Sequence, residues 1–158
     1  MNMASAIDSL SFRPAVEADM PFLLELRRQT MTGHQLASGV RLTEEEQLGR
    51  VRDRLECAQI ILLSGEPVGL LKVARDGAEW HLLQIQLAPG RQRTGLGEWL
   101  VQTVIDDARR AGASLSLRVL RANPARRLYE RLGFRIVREE AHAYQMEHGD
   151  TGTAGQTQ

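Results

Sequence analysis

The stretch Gln92-Arg93-Thr94-Gly95-Leu96-Gly97 decides how this chain of 158 residues is interpreted. It follows a strand-like apolar run, 82–87, and it precedes a helical pattern of apolar residues at Leu96, Leu100, Val104 and Ala108. A chain that turns into a helix offers successive backbone N–H groups to a phosphate, and glycine lets the phosphate approach the backbone closely. The stretch therefore predicts a site for a diphosphate-bearing ligand, with a plain helix-capping turn as the alternative.

Two common phosphate motifs are excluded at this position. A P-loop would need Gly-Lys-Ser/Thr after the turn, and a dinucleotide fingerprint would need a third glycine where Leu100 stands. Arg91 and Arg93 add positive charge beside the glycines, which favours an anionic ligand.

A second segment, Asn123-Pro124-Ala125-Arg126-Arg127-Leu128-Tyr129-Glu130-Arg131-Leu132-Gly133-Phe134, lies downstream. The two segments together resemble the GNAT superfamily of acyl-CoA-dependent N-acetyltransferases, over roughly residues 10–146. Arg93 and Thr94 depart from the pattern, since the family more often has a glycine and a basic residue there. The resemblance implies an α/β (α+β) fold: a single domain with a mixed, mostly antiparallel sheet, flanked by helices and containing a splayed central strand pair.

The resemblance also implies where acetyl-CoA, the acyl donor, would bind. The strand that ends at Leu87 would diverge from the strand that ends near Leu120, and the crevice between them would hold the cofactor. Backbone groups of Ile85 and Leu87 would pair with the pantetheine arm, although their side chains also suit an ordinary core. The N–H groups of Gln92, Arg93, Thr94, Gly95, Leu96 and Gly97 would bind the pyrophosphate. Asn123 would contact the cofactor, cap the helix ahead of Pro124, or do both.

The catalytic residues are assigned by the same resemblance. Tyr129 matches the family's tyrosine and is the expected proton donor to the departing thiolate; the alternative is a helix tyrosine packed on Phe134. Some family members carry a basic glutamate eleven residues before the first residue of the glycine motif, and here that position is His81. His81 is the expected general base, with an ordinary strand histidine as the alternative and Glu79 as a weaker candidate.

The acceptor is expected to be a primary amine of a small molecule or peptide, with a protein N-terminus or lysine as the alternative. His34, in the predicted loop 32–35, lies where the family builds its acceptor wall and is the expected substrate contact; a solvent-exposed histidine is the alternative. A second class of function stays open, namely a non-catalytic acyl-CoA-binding or sensing module. The two classes differ in whether amine acetylation can be measured.

Composition indicates one compact domain, 10–148, followed by a disordered tail, 149–158. Hydrophobic residues make up 42% of the chain, charged residues 25%, and the net charge is zero. The charge balance gives no reason to expect nucleic acid or a membrane as a partner. The lack of an apolar leader and of a long apolar run predict a cytoplasmic protein, whereas the single cysteine says little about compartment. No metal is expected, and a homodimer is left open.

The remaining pattern predicts alternating strands and helices. A helix is expected over 16–31, and a second helix begins at Thr43, whose hydroxyl and Glu46 form a capping box. The acidic run 44–46 is explained by the helix dipole, with a patch for cationic substrates as the alternative. A hairpin turn is expected at 64–66. Strands are expected at 10–13, 58–63, 67–74, 80–87, 115–120, 135–137 and 142–146.

Overall fold

The computed structural model describes residues 7–92 and 95–149. Its strands are β1 (Leu10–Pro14), β2 (Ala58–Leu63), β3 (Glu66–Asp76), β4 (Glu79–Leu87), β5 (Ser114–Leu120), β6 (Phe134–Glu139) and β7 (Ala143–His148). Its α-helices are α1 (Met20–Thr30), α2 (Thr32–Ala37), α3 (Glu44–Arg52), α4 (Leu96–Arg110) and α5 (Ala125–Arg131). Short 3₁₀ turns precede α1 (Glu17–Asp19) and β2 (Leu55–Cys57). The expected tail, apart from Gly149, lies outside the described residues.

All seven of these strands form one sheet in the order β1-β2-β3-β4-β5-β7-β6. The neighbouring pairs are antiparallel except β4 and β5, which are parallel and are connected through α4. This arrangement confirms the expected mixed, mostly antiparallel sheet flanked by helices.

The two central strands separate after a short paired stretch. Their pairing runs from Glu79 with Ser114 to Leu82 with Leu117, and it stops there. At the same level β4 contains a bulge, because Lys72 of β3 pairs with Gln84 while the next residue of β3 pairs with Leu82. Beyond the bulge β4 stays bound to β3 and leaves β5, which confirms the predicted splay.

Each face of the sheet carries a hydrophobic core. On one face α4 buries its apolar stripe (Leu96, Leu100, Val101, Val104, Ile105, Ala108) against β3, β4 and β5. On the other face α1 buries Leu23 and Leu26, each 1% exposed, against residues of β2 and β3 that include Ile60 and Leu70. A leucine buried to this extent contributes roughly 1.5–3 kcal/mol. The helices therefore hold the sheet from both sides while its central gap remains open.

Local signals set several element boundaries as predicted. Thr43 Oγ1 accepts from the Glu46 N–H at 3.1 Å, and the Glu46 carboxylate accepts from the Thr43 N–H at 2.8 Å, so the capping box is confirmed. The hairpin between β2 and β3 is also confirmed, with φ of 51° at Ser64 and 82° at Gly65. Positive φ at both central positions is typical of a type I′ turn.

Two predictions for the segment 16–35 were wrong: the start of its helix and the loop after it. The helix expected over 16–31 begins only at Met20, because Pro21 lacks the N–H that a longer helix would need and the Asp19 carboxylate binds the Val16 N–H at 2.8 Å. The loop expected over 32–35 is the helix α2, which buries Gln35 to 4% exposure. None of the helices in the described residues is long and apolar enough to span a bilayer.

Candidate functional site

The gap between β4 and β5 opens into a cavity on each face of the sheet. The α4-side cavity, of about 540 Å³, lies between β4, α4 and α5 and is closed by residues at the end of α1 and in α2. The α1-side cavity, of about 560 Å³, lies between the gap, α1 and the end of α3. Met31, Ile85, Asn123 and Tyr129 line both cavities, so the two spaces meet at the splay.

The open edge of β4 presents backbone groups to the α4-side cavity. The Ala88 N–H donates to the Val68 carbonyl at 2.8 Å, so Ala88 is turned toward β3. Because successive residues of a strand alternate, the N–H and C=O groups of Leu87 and Ile85 face the gap. The Gln92 side chain already donates to the Leu87 carbonyl at 2.9 Å, which ties the glycine turn to the end of the strand.

The glycine turn forms the end of this cavity. Gly95 precedes α4 with a φ of 85°, which a residue with a side chain rarely adopts. Gly97 lies in the first helical turn, where N–H groups have no acceptor within the helix. A Cβ at Gly97 would meet Leu87 Cδ1 at 3.7 Å and otherwise only the cavity. Leu96 points its side chain into the core, while Arg93 and Thr94 lie outside the described residues.

Tyr129 stands at the junction of the two cavities. The residue is 7% exposed, and its ring meets the Phe134 ring edge-on at a centroid distance of 5.8 Å. Burial raises the pKa of Tyr129 to about 12, so the phenol stays protonated at neutral pH. Both the packing alternative and a reactive hydroxyl are compatible with this position, because the ring packs on the core while the residue lines the cavities.

Asn123 is a helix cap that also reaches the site. Its Oδ1 accepts from the Ala125 N–H at 2.9 Å, so it binds the first N–H of α5 from one residue before the N-cap, Pro124, rather than from the predicted N-cap position. Since the side-chain oxygen serves the cap, the amide nitrogen is the group that Asn123 can direct to a ligand.

His81 lies on the α1-side cavity and not on the α4-side cavity. Its Nδ1 is 2.6 Å from the Ser116 hydroxyl on β5, at the last paired stretch before the strands separate. This contact fixes the imidazole and leaves Nε2 as the other ring nitrogen. Glu79, the weaker base candidate, is exposed at the start of β4 and is not part of either cavity wall.

His34 is placed differently from its expected position. It lies on helix α2 and lines the α4-side cavity, together with Gln92 and Gly97, rather than the cavity that contains His81. The expected loop location was therefore wrong, since α1 continues almost directly into α2.

The sequence analysis did not predict the buried polar residues of the α1-side cavity. Arg27 is 4% exposed; its Nε donates to Gln47 at 2.6 Å, and Gln47 donates to Gln35 at 2.8 Å. Burial and the neighbouring Arg50 lower the pKa of Arg27 to about 10, so it remains a cation at neutral pH. The only signal in the sequence was an arginine on the apolar stripe of α1.

Lys72 is a second buried cation of this wall. It is 2% exposed, and its ammonium donates to the carbonyls of Asp53 at 2.6 Å, Val51 at 3.3 Å and Arg50 at 3.4 Å. These carbonyls end α3, where a cation is favourable. Burial lowers the pKa of Lys72. A single lysine within the apolar strand β3 was the available sequence signal.

The described residues contain no cluster of side chains that could serve as metal ligands. Among residues 7–92 and 95–149, no three His, Cys, Asp or Glu side chains are grouped so that they could hold a metal ion.

Comparisons with known proteins agree with this fold. No curated protein matches the sequence significantly. Among solved structures, the chain resembles the PaiA N-acetyltransferase from Thermoplasma acidophilum in complex with coenzyme A (TM-score 0.68, 16% identity, covering 89% of this chain and 98% of that chain). It also resembles the ribosomal-protein-S18-alanine N-acetyltransferase from Escherichia coli (TM-score 0.66, 20% identity, covering 90% of this chain and 94% of that chain). A third similar structure is that of N-acetylglutamate synthase from Neisseria gonorrhoeae, complexed with coenzyme A and N-acetyl-glutamate (TM-score 0.63, 17% identity, covering 88% of this chain and 34% of that chain).

At these identities the structural similarity concerns the fold. The family assignment comes from the sequence model of the acetyltransferase (GNAT) family, which matches residues 20–134, well over half of the chain. The resemblance inferred from the two motifs is thereby confirmed, and the chain belongs to the GNAT family of acyl-CoA-dependent acetyltransferases.

Proposed function

We propose that this protein transfers the acetyl group of acetyl-CoA to the primary amine of a small molecule or peptide by direct attack. Use of acetyl-CoA follows from the family; the acceptor class and the roles of the residues are the proposal. The observation that carries it is the gap between β4 and β5, where a backbone edge and a glycine turn on one face adjoin a polar cavity on the other.

The α4-side cavity fits a long, amide-rich cofactor with a diphosphate. The gap-facing backbone of Ile85 and Leu87 offers the groups that an added strand would use, which suits the pantetheine arm. The missing side chain at Gly97 leaves room beside the helix N-terminus, which suits a pyrophosphate. When bound, acetyl-CoA supplies a thioester carbonyl for attack by the amine and a thiolate as leaving group.

Tyr129 is the proposed proton donor. It belongs to the wall of both cavities, so it lies where the donor and acceptor spaces meet. With a pKa of about 12 the hydroxyl is a stable donor at any physiological pH. A phenylalanine would pack equally well on Phe134 but could not donate a proton, which makes the hydroxyl the testable group.

His81 is the proposed general base, and Ser116 positions it. An alkyl ammonium of pKa ~10.4 is neutral in roughly one molecule per thousand near pH 7, so a proton acceptor accelerates the reaction. For Nε2 to accept a proton, Nδ1 must carry the other hydrogen and donate it to Ser116 Oγ, which a hydroxyl oxygen can accept. The proposed path runs from the acceptor amine to Nε2, directly or through a water molecule.

Two further contacts complete the proposal. The amide nitrogen of Asn123 is proposed to bind the cofactor, because the oxygen is used by the cap. His34 is proposed to contact the substrates from the cofactor side of the gap, since it lines the α4-side cavity.

A broad panel of amines, assayed with acetyl-CoA by release of free thiol, tests the function. We expect at least one class of amine to raise thiol release well above the rate without acceptor, and mass spectrometry should show one added acetyl group. Tight binding of acetyl-CoA without acceleration by any amine would instead support the non-catalytic acyl-CoA module.

A further inference from the structure

Two buried polar side chains of the α1-side cavity have atoms without a hydrogen-bond partner. Gln86 on β4 is 4% exposed, and neither its amide oxygen nor its amide nitrogen has a partner among the described residues. Arg27 on α1 is equally buried, and its Nη1 is unpaired within the same part of the chain. Both residues line the same cavity, and α1 packs over β4.

These groups are unfavourable for folding alone. A buried amide or guanidinium group that lacks a partner loses its hydration without compensation, which destabilises the folded state. An apolar residue at position 86 would pack on neighbours such as Leu70, its pairing partner on β3, without this loss. The polar side chains are therefore better explained by a ligand than by stability.

The charges of the cavity indicate the sign of that ligand. Lys72 is satisfied by the three carbonyls that end α3, and Arg118 is paired with Glu140 at 2.9 Å. Within the described residues Arg27 forms no ion pair, and its charged neighbour Arg50 is also a cation. Asp53 is the acidic residue of the cavity wall, and its backbone carbonyl accepts from Lys72. Arg27 and Lys72 are thus both buried cations without an acid partner in the described residues, and of the two Arg27 is the one with an unpaired donor.

We infer that Arg27 and Gln86 bind a carboxylate of the acceptor, so that the acceptor is an amine that also carries a carboxylate. Nη1 of Arg27 would donate to one carboxylate oxygen and the Gln86 amide nitrogen to the other, while the Gln86 oxygen accepts from an N–H of the acceptor. Because the Lys72 ammonium is taken up by the carbonyls that end α3, the unpaired donor of Arg27 and the neutral amide of Gln86 match a single negative charge better than a phosphate dianion. This inference rests on the proposed function, because it assigns the acceptor of the same site.

The same chemistry occurs in two kinds of acceptor. A free amino acid carries its carboxylate beside the amine, and a peptide carries one on an acidic side chain near its N-terminus. Paired substrates separate the two: free amino acids against their carboxamides, and peptide amides with glutamate at the second position against those with glutamine. The assay is thiol release from acetyl-CoA, as kcat/KM for each member of a pair.

We expect the acid to exceed its amide at least tenfold in one of the two series, as a hydrogen bond to a charged group would produce. This ratio should fall toward one in Arg27→Gln and Gln86→Met. Arg27→Lys, which keeps the charge but loses the planar fork, should give an intermediate ratio. Arg28→Met and Gln29→Met, on the exposed face of α1, are the matched controls and should keep the wild-type ratio.

Thermal unfolding separates a binding role from a structural one. Gln86→Met removes two unpaired buried polar atoms, so its Tm should equal or exceed that of the wild type while its preference for the acid is lost. A variant that unfolds early would instead assign Gln86 to the fold. Equal use of acids and amides by the wild type would overturn the inference while leaving the acetyltransferase function intact.

Direct binding keeps the inference testable if no amine is acetylated. Calorimetry with the coenzyme A-saturated protein compares N-acetyl amino acids with their carboxamides. Tighter binding of the acids, lost in Arg27→Gln, supports the carboxylate site even without turnover. Binding of neither, or of both equally, contradicts it.

Discussion

Replacing Gly97 by alanine should stabilise the fold and weaken cofactor binding at the same time. The new Cβ meets Leu87 Cδ1 at 3.7 Å, an ordinary van der Waals contact, and Gly97 has a φ that alanine can adopt. Alanine is favoured over glycine in a helix by up to about 1 kcal/mol, and the first turn of α4 should realise about half of that. For a chain of this size the Tm should rise by about 1–2 °C.

The same methyl group is also the reason for the weaker cofactor binding. It projects into the α4-side cavity beside the first turn of α4, where we place the pyrophosphate. A phosphate displaced from these N–H groups loses at least one charge-assisted hydrogen bond, worth about 1.5–3 kcal/mol. The Kd for acetyl-CoA should therefore increase by roughly 10- to 150-fold. Gly97→Val should increase it further.

Gly49→Ala is the matched control for this experiment. Gly49 is exposed on α3, a Cβ there would meet no atom within 4 Å, and it belongs to neither cavity wall. It should raise the Tm similarly and leave the Kd unchanged. Titration calorimetry gives the affinities and circular dichroism the Tm values. A folded Gly97→Ala protein with the affinity of the control would refute the pyrophosphate assignment.

Three further outcomes are expected. Tyr129→Phe should lower kcat at least tenfold with little change in cofactor affinity, and because burial raises the pKa of Tyr129 to about 12, the wild-type rate should not fall through its ionisation below about pH 11. Full activity in a variant whose chemistry limits the rate would exclude the donor role. His81→Ala should lower kcat/KM at least tenfold and leave a slow rate that climbs with pH as the free amine population grows; a variant with the wild-type kcat/KM would exclude His81 as the base. Thr43→Ala should cost about 1 kcal/mol of stability, seen as a Tm lowered by about 2–4 °C, with an unchanged Kd for acetyl-CoA.

Local patterns were sufficient for most of the fold. Strand β2 has the predicted bounds, 58–63, and the other strands begin and end within two residues of their predicted positions. The capping box at Thr43 and the hairpin at Ser64 were predictable because each depends on residues adjacent in sequence. The mixed, mostly antiparallel sheet and its splay came from the family resemblance, and the strand order was not predicted, since pairing between distant strands leaves little trace in local periodicity.

The parts that were missed depend on contacts between distant elements. Helix α2 is short and holds the buried Gln35, whose amide accepts from Gln47 on α3. Arg27 and Lys72 interrupt apolar patterns in the sequence. Only the folded chain shows that the Lys72 ammonium is hydrogen-bonded to the end of α3, whereas Arg27 keeps a donor without a partner in the described residues. Gln86 alternates with apolar residues on β4 and looks like a solvent-facing position until the helix above it is known.

The bulge in β4 explains why one strand can serve both cavities. Trp80 and Leu82 face α4, and beyond the bulge the α4 side is occupied by Ile85 and Leu87 instead of the even-numbered residues. His81 pairs with Ala74, and Gln86 pairs with Leu70, which lies on the same face of β3 as Ala74. An unbroken alternation would have put His81 on the same face as Ile85. The extra residue, Leu83, reverses this parity, so that the proposed base and the proposed carboxylate ligand share the α1 side while the backbone edge behind them remains open to the cofactor.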